Sequence, residues 1–323
     1  MTAIVPSTEV RSPNPPVWSS KTRRRSRREG NPLAAYGLIL PAGVFYTVFQ
    51  LVPILAAFVL SFTSWNGINV SKIRFNGIAN YQRLLSDNLF WSSFLHNIFV
   101  AILVFVFLSC GSFLIAAIIS SGIKGGAFFR IVFFAPVVIS SIAVGMLAIF
   151  FFSPSQGIID EGLKQIGLGQ LAQPWLGSST YALPTVSVTY ILQNFGFSML
   201  LFLSAFTQVN NEMCEAAEVD GASQGRILWQ IVLPTIRPIA SVVVLLGLIS
   251  SFRLFDTVYI MTAGGPYHAS DTIVSYLYSV GFAGSEVGYG NTIGVALFVI
   301  LAVIAFIQLS LTRRGARNER AAK

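Results

Sequence analysis

Charge, cysteine and lysine are all scarce in this sequence. Only 11% of its 323 residues are charged, where a soluble domain carries about a quarter, so water is not the only solvent of the folded chain. The two cysteines, Cys110 in an apolar run and Cys214 in a polar loop, stand in different settings, and neither a disulfide framework nor a Cys-x-x-Cys metal site is expected. None of the five lysines follows a glycine. That excludes a phosphate loop of the form Gly-x-x-x-x-Gly-Lys-Ser/Thr, and with it ATP hydrolysis by this chain through such a loop. His-Glu-x-x-His is missing too, so that motif gives enzymatic chemistry no support. The only histidines, His96 and His268, lack partners at metal spacing; no metal site and no bound cofactor are expected.

What the chain has in quantity is apolar sequence: 54% of residues are hydrophobic. They fall into runs long enough to cross a bilayer as helices, about 20 residues each. Spans are predicted near Leu33 to Phe62, Phe94 to Ser120, Phe128 to Phe152, Ala182 to Phe206, Ile239 to Thr262 and Asn291 to Leu311. Turn-forming residues punctuate them, among them Asn66-Gly67, Gly125-Gly126, Asp220-Gly221 and Gly264-Gly265-Pro266. An all-α membrane protein follows, with a six-span domain over residues 32–312.

The net charge of +8 is placed beside the apolar runs and is not interleaved with aromatics, which argues against nucleic acid. Residues 1–31, with four prolines and a basic run from Lys21 to Arg28, are expected to be a disordered cytoplasmic tail anchored on anionic lipid. Residues 313–323 form a second basic tail. With the N-terminus inside, the cytoplasmic segments hold sixteen lysines and arginines and the outer loops four. By the positive-inside rule both termini are cytoplasmic, and residues 207–238 become the longest cytoplasmic loop.

That loop reads as two short helices. Asn211 to Val219 is rich in good helix formers, Gly221 can take the positive φ of a reversal, and Ser223 can cap a second helix. Ile227, Leu228, Ile231 and Val232 give the second helix an apolar stripe, and Pro234 is expected to end it. On pattern alone the element either docks a partner or packs on the protein's own loops.

The run from Glu215 to Pro238 resembles the EAA signature of ABC importer permeases, the binding-protein-dependent transport inner-membrane components. Glu215-Ala216-Ala217, Asp220-Gly221-Ala222 and Leu233-Pro234 agree in order and spacing. Gly77-Ile78-Ala79-Asn80-Tyr81 with Phe90-Trp91, and Phe255 to Thr262 with Gly264-Gly265-Pro266, are similar to the carbohydrate branch, the maltose and glycerol-3-phosphate group. The resemblance implies the type I importer permease fold in the bacterial cytoplasmic membrane. It implies a second permease subunit, two ATP-binding subunits that use ATP and Mg, an extracytoplasmic solute-binding protein and a sugar or sugar-like solute. It gives Glu215 a polar contact with the ATPase, Ala216 and Ala217 close packing, and Gly221 the turn between coupling helices.

Polar residues inside spans are costly and mark candidate path residues. Gln193 and Asn194 stand in mid-span beside Phe195, with Gly196 free for close helix approach. Their alternative use is hydrogen bonding between helices. Arg253 and Asp256, three apart, either meet solute or form an internal ion pair. Tyr259 and Asn291 are weaker candidates near span ends. Asn80-Tyr81 through Trp91 reads as a short amphipathic helix at the outer surface. An ion-coupled secondary transporter, the competing function, would show internal repeats or broken spans.

Overall fold

The structure is a computed structural model and describes residues 32–154 and 157–321, with side chains over 39–312. The predicted tail, residues 1–31, lies outside the described residues, as do the side chains of residues 313–323. The chain divides into two compact units, residues 1–53 and 54–323. In the first, helix α1 begins at Pro32 and widens to a π-type turn over Thr47–Leu51, where Phe45 and Phe49 stack at 5.9 Å. The stretch Ile39–Leu60 is long and apolar enough to cross a membrane.

The second unit is helical as well. A looped segment leads to α2 (Ala79–Ser86), α3 (Asn88–Ser120), α4 (Gly126–Val138), α5 (Ser141–Phe151) and α6 (Ile158–Gln165). Then come α7 (Ala182–Phe206), α8 (Asn211–Val219), α9 (Gln224–Phe252), α10 (Asp256–Met261), α11 (Ile273–Ala283) and α12 (Val287–Ala321). Five of the described helices are long and apolar enough to cross a membrane, and six if the bent pair α4 and α5 is one span.

Four places depart from the sequence reading. The predicted span Phe128 to Phe152 is broken, with α4 and α5 meeting at 102°. Ile139 there is extended, and the Ser140 side chain accepts from the Ala143 amide to start α5. The predicted fifth span, Ile239 to Thr262, is displaced: α9 starts at Gln224, ends at Phe252, and is followed by a break and the short α10. Pro234 does not end a helix. It follows a π-type turn over Leu228–Val232 that makes room where the proline ring would press on the preceding turn, and the Thr235 hydroxyl donates to Ile231 O at 2.7 Å. The amphipathic helix read through Trp91 stops at Ser86, because the Asp87 carboxylate accepts from the Leu89 and Phe90 amides and begins α3.

Burial concentrates in three clusters. One, around Phe113, Met199, Phe202, Ile227 and Ile236, lies under α8 and the start of α9. A second joins Val100, Val104, Val186 and Val258, and a third joins Phe90, Phe252, Ile273, Tyr289 and Ile293. A polar knot closes the end of the unit that holds α2. Asn80 donates to Ser61 O and Thr63 O at 2.8 and 2.9 Å, and Thr292 donates to the same Ser61 O. Arg83 pairs with Glu286 and lies 4.0 Å over the Tyr289 ring. Burial alone would raise the Asp87 carboxyl, but hydrogen bonds from Tyr276 and Tyr289 and from the two capped amides hold it below its ordinary value.

Candidate functional site

Two regions gather the residues singled out by sequence. The first is the break between α9 and α10, where a polar cavity of about 200 Å³ is lined by Ser141, Tyr190, Ser250, Arg253, Phe255 and Asp256, among others. Arg253 and Asp256 are both exposed to this cavity side and form no ion pair with each other among the described residues. The packing ion pair offered as their alternative use is therefore not formed. At this cavity Arg253 can give hydrogen bonds to a polar ligand and Asp256 can take them from it.

Gln193 stands behind this cavity on α7 and is 6% exposed. Its amide nitrogen donates to Ile139 O at 3.1 Å and to the Ser141 hydroxyl at 3.4 Å, tying α7 to the α4/α5 break. Its Oε1 is buried and has no hydrogen-bond partner among the described residues. Asn194 turns back on its own helix, donating to Tyr190 O at 2.9 Å, and Phe195 packs on Phe133 with ring centres 5.2 Å apart. Gly196 does allow close approach: a Cβ added there would stand 2.6 Å from Phe134 Cα. Tyr259 lies outside the cavity, in a row of rings. Asn291 is elsewhere altogether, donating to Val287 O and lining a separate apolar cavity of about 330 Å³.

The break itself is held from a distance. Asn97, fully buried on α3, donates to Ser251 O at 2.9 Å and accepts from the Ile273 amide at 2.8 Å. Thr272 donates to Leu254 O at 2.6 Å and caps α11. One asparagine thus bonds a carbonyl at the end of α9 and an amide at the start of α11, where regular helical pairing runs out. Sequence reading missed Asn97, Tyr190, Ser141, Ser250 and Thr272. A hint existed in polar residues inside apolar runs, but nothing local said which of them converge.

The second region is the loop of residues 207–238. Asn210 caps α8 by accepting from the Glu212 amide. The helix ends as predicted, with Gly221 at φ +81°. The Gly221 amide donates to Glu218 O and the Ala222 amide to Ala217 O, the paired bonds of a Schellman turn. Ser223 starts α9 by accepting from the Arg226 amide. The stripe predicted on the second helix faces inward: Ile227 and Val232 are buried in the first core cluster, with Leu228 and Ile231 partly buried against it. Ala217 and Ala222 pack on the same cluster, whereas Glu215, Ala216, Asp220 and Gly221 are exposed. Leu233 is half-buried and Pro234 exposed. The loop is fastened by its apolar side and turns its carboxylates outward, with Met213 56%, Trp229 56% and Val219 89% exposed beside them.

The family described as binding-protein-dependent transport system inner membrane component matches residues 112–316, which hold this loop and the cavity. The probable ABC transporter permease protein YurN of Bacillus subtilis (strain 168) is 30% identical over 287 residues, 88% of this chain and 98% of that one. The arabinooligosaccharides transport system permease protein AraP of Halalkalibacterium halodurans is 30% identical over 297 residues, 90% of this chain and 92% of that one. Among solved structures, a chain of a bacterial ABC transporter involved in the import of the acidic polysaccharide alginate superposes with a TM-score of 0.76. It is 22% identical and covers 87% of this chain and 96% of its own.

Proposed function

The chain belongs to the family of binding-protein-dependent transport system inner membrane components, and from that premise we propose that it forms half of the translocation path for a sugar or sugar-like solute. It is a permease subunit of an ABC importer; the broken α4/α5 span is a mark expected of an ion-coupled secondary transporter, but the family match and the permease relatives do not favour that reading. The observation that carries the reading is the loop: a Schellman turn at Gly221 fastened from within, with Glu215 and Asp220 exposed on it. Such an element can seat in a groove of a separate ATPase and pass its closure to α9, with which its second half is continuous.

The carbohydrate reading draws on relatives such as AraP, named for arabinooligosaccharides, and on the cavity at Arg253 and Asp256, whose mix of charges, hydroxyls and the Phe255 ring suits a polyhydroxylated ring. We place Gln193 in the same path and leave Asn194, Tyr259 and Asn291 as flanking groups. In the bilayer, α4 and α5 count as one broken span, giving six spans with both termini cytoplasmic, as the sixteen-to-four bias of basic residues requires. The partners are a second permease subunit, two ATP-binding subunits using ATP and Mg, and an outer solute-binding protein. Their docking and closure bias the bundle between two states. Residues 1–31 and 313–323 act as basic cytoplasmic tails on anionic lipid.

The test is affinity purification of the tagged, detergent-solubilised chain expressed at native level. A P-loop ATPase and a second permease should come with it. Glu215→Lys reverses a contact charge, and Gly221→Pro forbids the positive φ; each should leave the membrane-inserted amount unchanged and lower ATPase recovery and uptake together by about tenfold or more. Normal recovery and uptake in both variants would remove the coupling role from this loop.

A further inference from the structure

Four aromatic rings run outward from the polar cavity without a break. Phe255 lines the cavity, and its ring stacks with that of Tyr259 at 5.3 Å. Both rings meet Tyr278, at 5.2 and 5.1 Å, and Tyr278 stacks with Phe282 at 5.5 Å. The geometry has a simple source. Phe255 and Tyr259 stand four residues apart at the start of α10, Tyr278 and Phe282 four apart on α11, and residues at that spacing share one helix face.

The row also has a direction. Its Phe255 end adjoins Leu254, whose carbonyl is held by Thr272 at the start of α11. Its other end follows α11 past Tyr276, which donates to Asp87 in the polar knot at the α2 end of the unit. On the orientation proposed above, that is the outer end. The rings are not packed away: Tyr259 is 43% and Phe282 68% exposed. Exposed Arg253 and Asp256 at the foot of the row are groups that lipid does not tolerate, so the Phe255 end looks onto a polar path, while Phe282 at the other end also borders the apolar cavity of Asn291.

We propose that Phe255, Tyr259, Tyr278 and Phe282 form an aromatic track on which the successive rings of an oligosaccharide stack on their way from the outer mouth to the Arg253 and Asp256 cavity. The inference rests on the sugar reading. A sugar ring offers an apolar C–H face and a hydroxyl rim. Phenylalanine faces match the first, and tyrosine faces with hydroxyls match both. A row of similar sites lets a chain advance ring by ring with no deep well along the way, whereas a two-ring solute engages only part of it.

The experiment uses the complete importer, with its binding protein and ATPase, reconstituted in vesicles. Uptake is measured from a mixture of disaccharides and pentasaccharides of the malto, arabino and chito series, and the pentasaccharide-to-disaccharide uptake ratio is read by mass spectrometry. Tyr278→Leu and Phe282→Leu keep apolar bulk and lose the ring face. Each should lower the ratio about two- to tenfold, the amount by which ring stacking exceeds plain apolar burial. Tyr278→Phe and Phe282→Trp should hold the ratio at the unaltered value. An unchanged ratio in the leucine variants, whatever the total rate, would overturn the track and leave the sugar reading standing. Disulfide trapping of Phe282→Cys to another subunit of the importer would overturn it as well, by covering the track with protein. Failure of the unaltered importer to take up any saccharide would sink the sugar reading, and the track with it.

Discussion

Gly196→Ala is expected to destabilise the protein and to abolish most uptake, although alanine is the better helix former. In an exposed helix the exchange would gain about 1 kcal/mol. Here the added Cβ would lie 2.6 Å from Phe134 Cα and 2.7 Å from Phe133 C, both backbone atoms of α4 that cannot rotate aside. Helices α4 and α7 would have to move apart, at the upper end of overpacking costs, about 3 kcal/mol. The shift would also pull Ile139 O away from the Gln193 amide and so disturb the α4/α5 break beside the polar cavity. Thermal melting of the purified protein in detergent decides the sign. A melting temperature equal to or above that of the unaltered chain would mean that the two helices do not approach this closely.

The second large effect belongs to Asn97. Asn97→Leu preserves size but leaves the Ile273 amide without its acceptor and Ser251 O with only the long 3.4 Å bond from the Leu254 amide. A buried amide deprived of its partner costs about 1–3 kcal/mol, and the two groups stand at the end of α9 and the start of α11. Melting should fall by an amount similar to that for Gly196→Ala, and uptake should fall further than stability alone accounts for, because Arg253 and Asp256 would lose their fixed positions. Asn97→Asp, which keeps an acceptor for the Ile273 amide, should lie between the two. Equal melting temperatures and uptake for leucine and asparagine at this position would show that the break is held by something else.

The span Ala182 to Phe206 coincides with α7 at both ends, because a long apolar run bounded by turn residues leaves little choice. The Gly221 reversal was equally legible, since a glycine between two short helical segments has one obvious use there, and its φ of +81° bears it out. The fifth span was misplaced because the apolar run of Ile239 to Thr262 contains no residue that stops a helix by itself. Arg253 became a helix end only through Asn97 and Thr272, which bond the neighbouring carbonyls from elsewhere in the chain. Pro234 misled in the opposite sense: a π-type turn just before it absorbs the ring, an accommodation that local propensity does not register.

By itself, then, the sequence determined that the chain is helical, rich in bilayer-length apolar runs, and furnished with a polar loop of EAA pattern. Each of these follows from sums over neighbouring residues: transfer free energy over about 20 positions, charge per loop, and turn chemistry at one glycine. Only the tertiary structure decided where two of the apolar runs break, that Arg253 and Asp256 stand at one cavity without pairing among the described residues, that the stripe of the 207–238 loop faces inward, and that four rings from two short helices form a row. These depend on hydrogen bonds and ring contacts between residues up to 176 positions apart. Such pairings are selected by which buried polar groups can satisfy one another once the helices are packed, and no window along the sequence contains both partners.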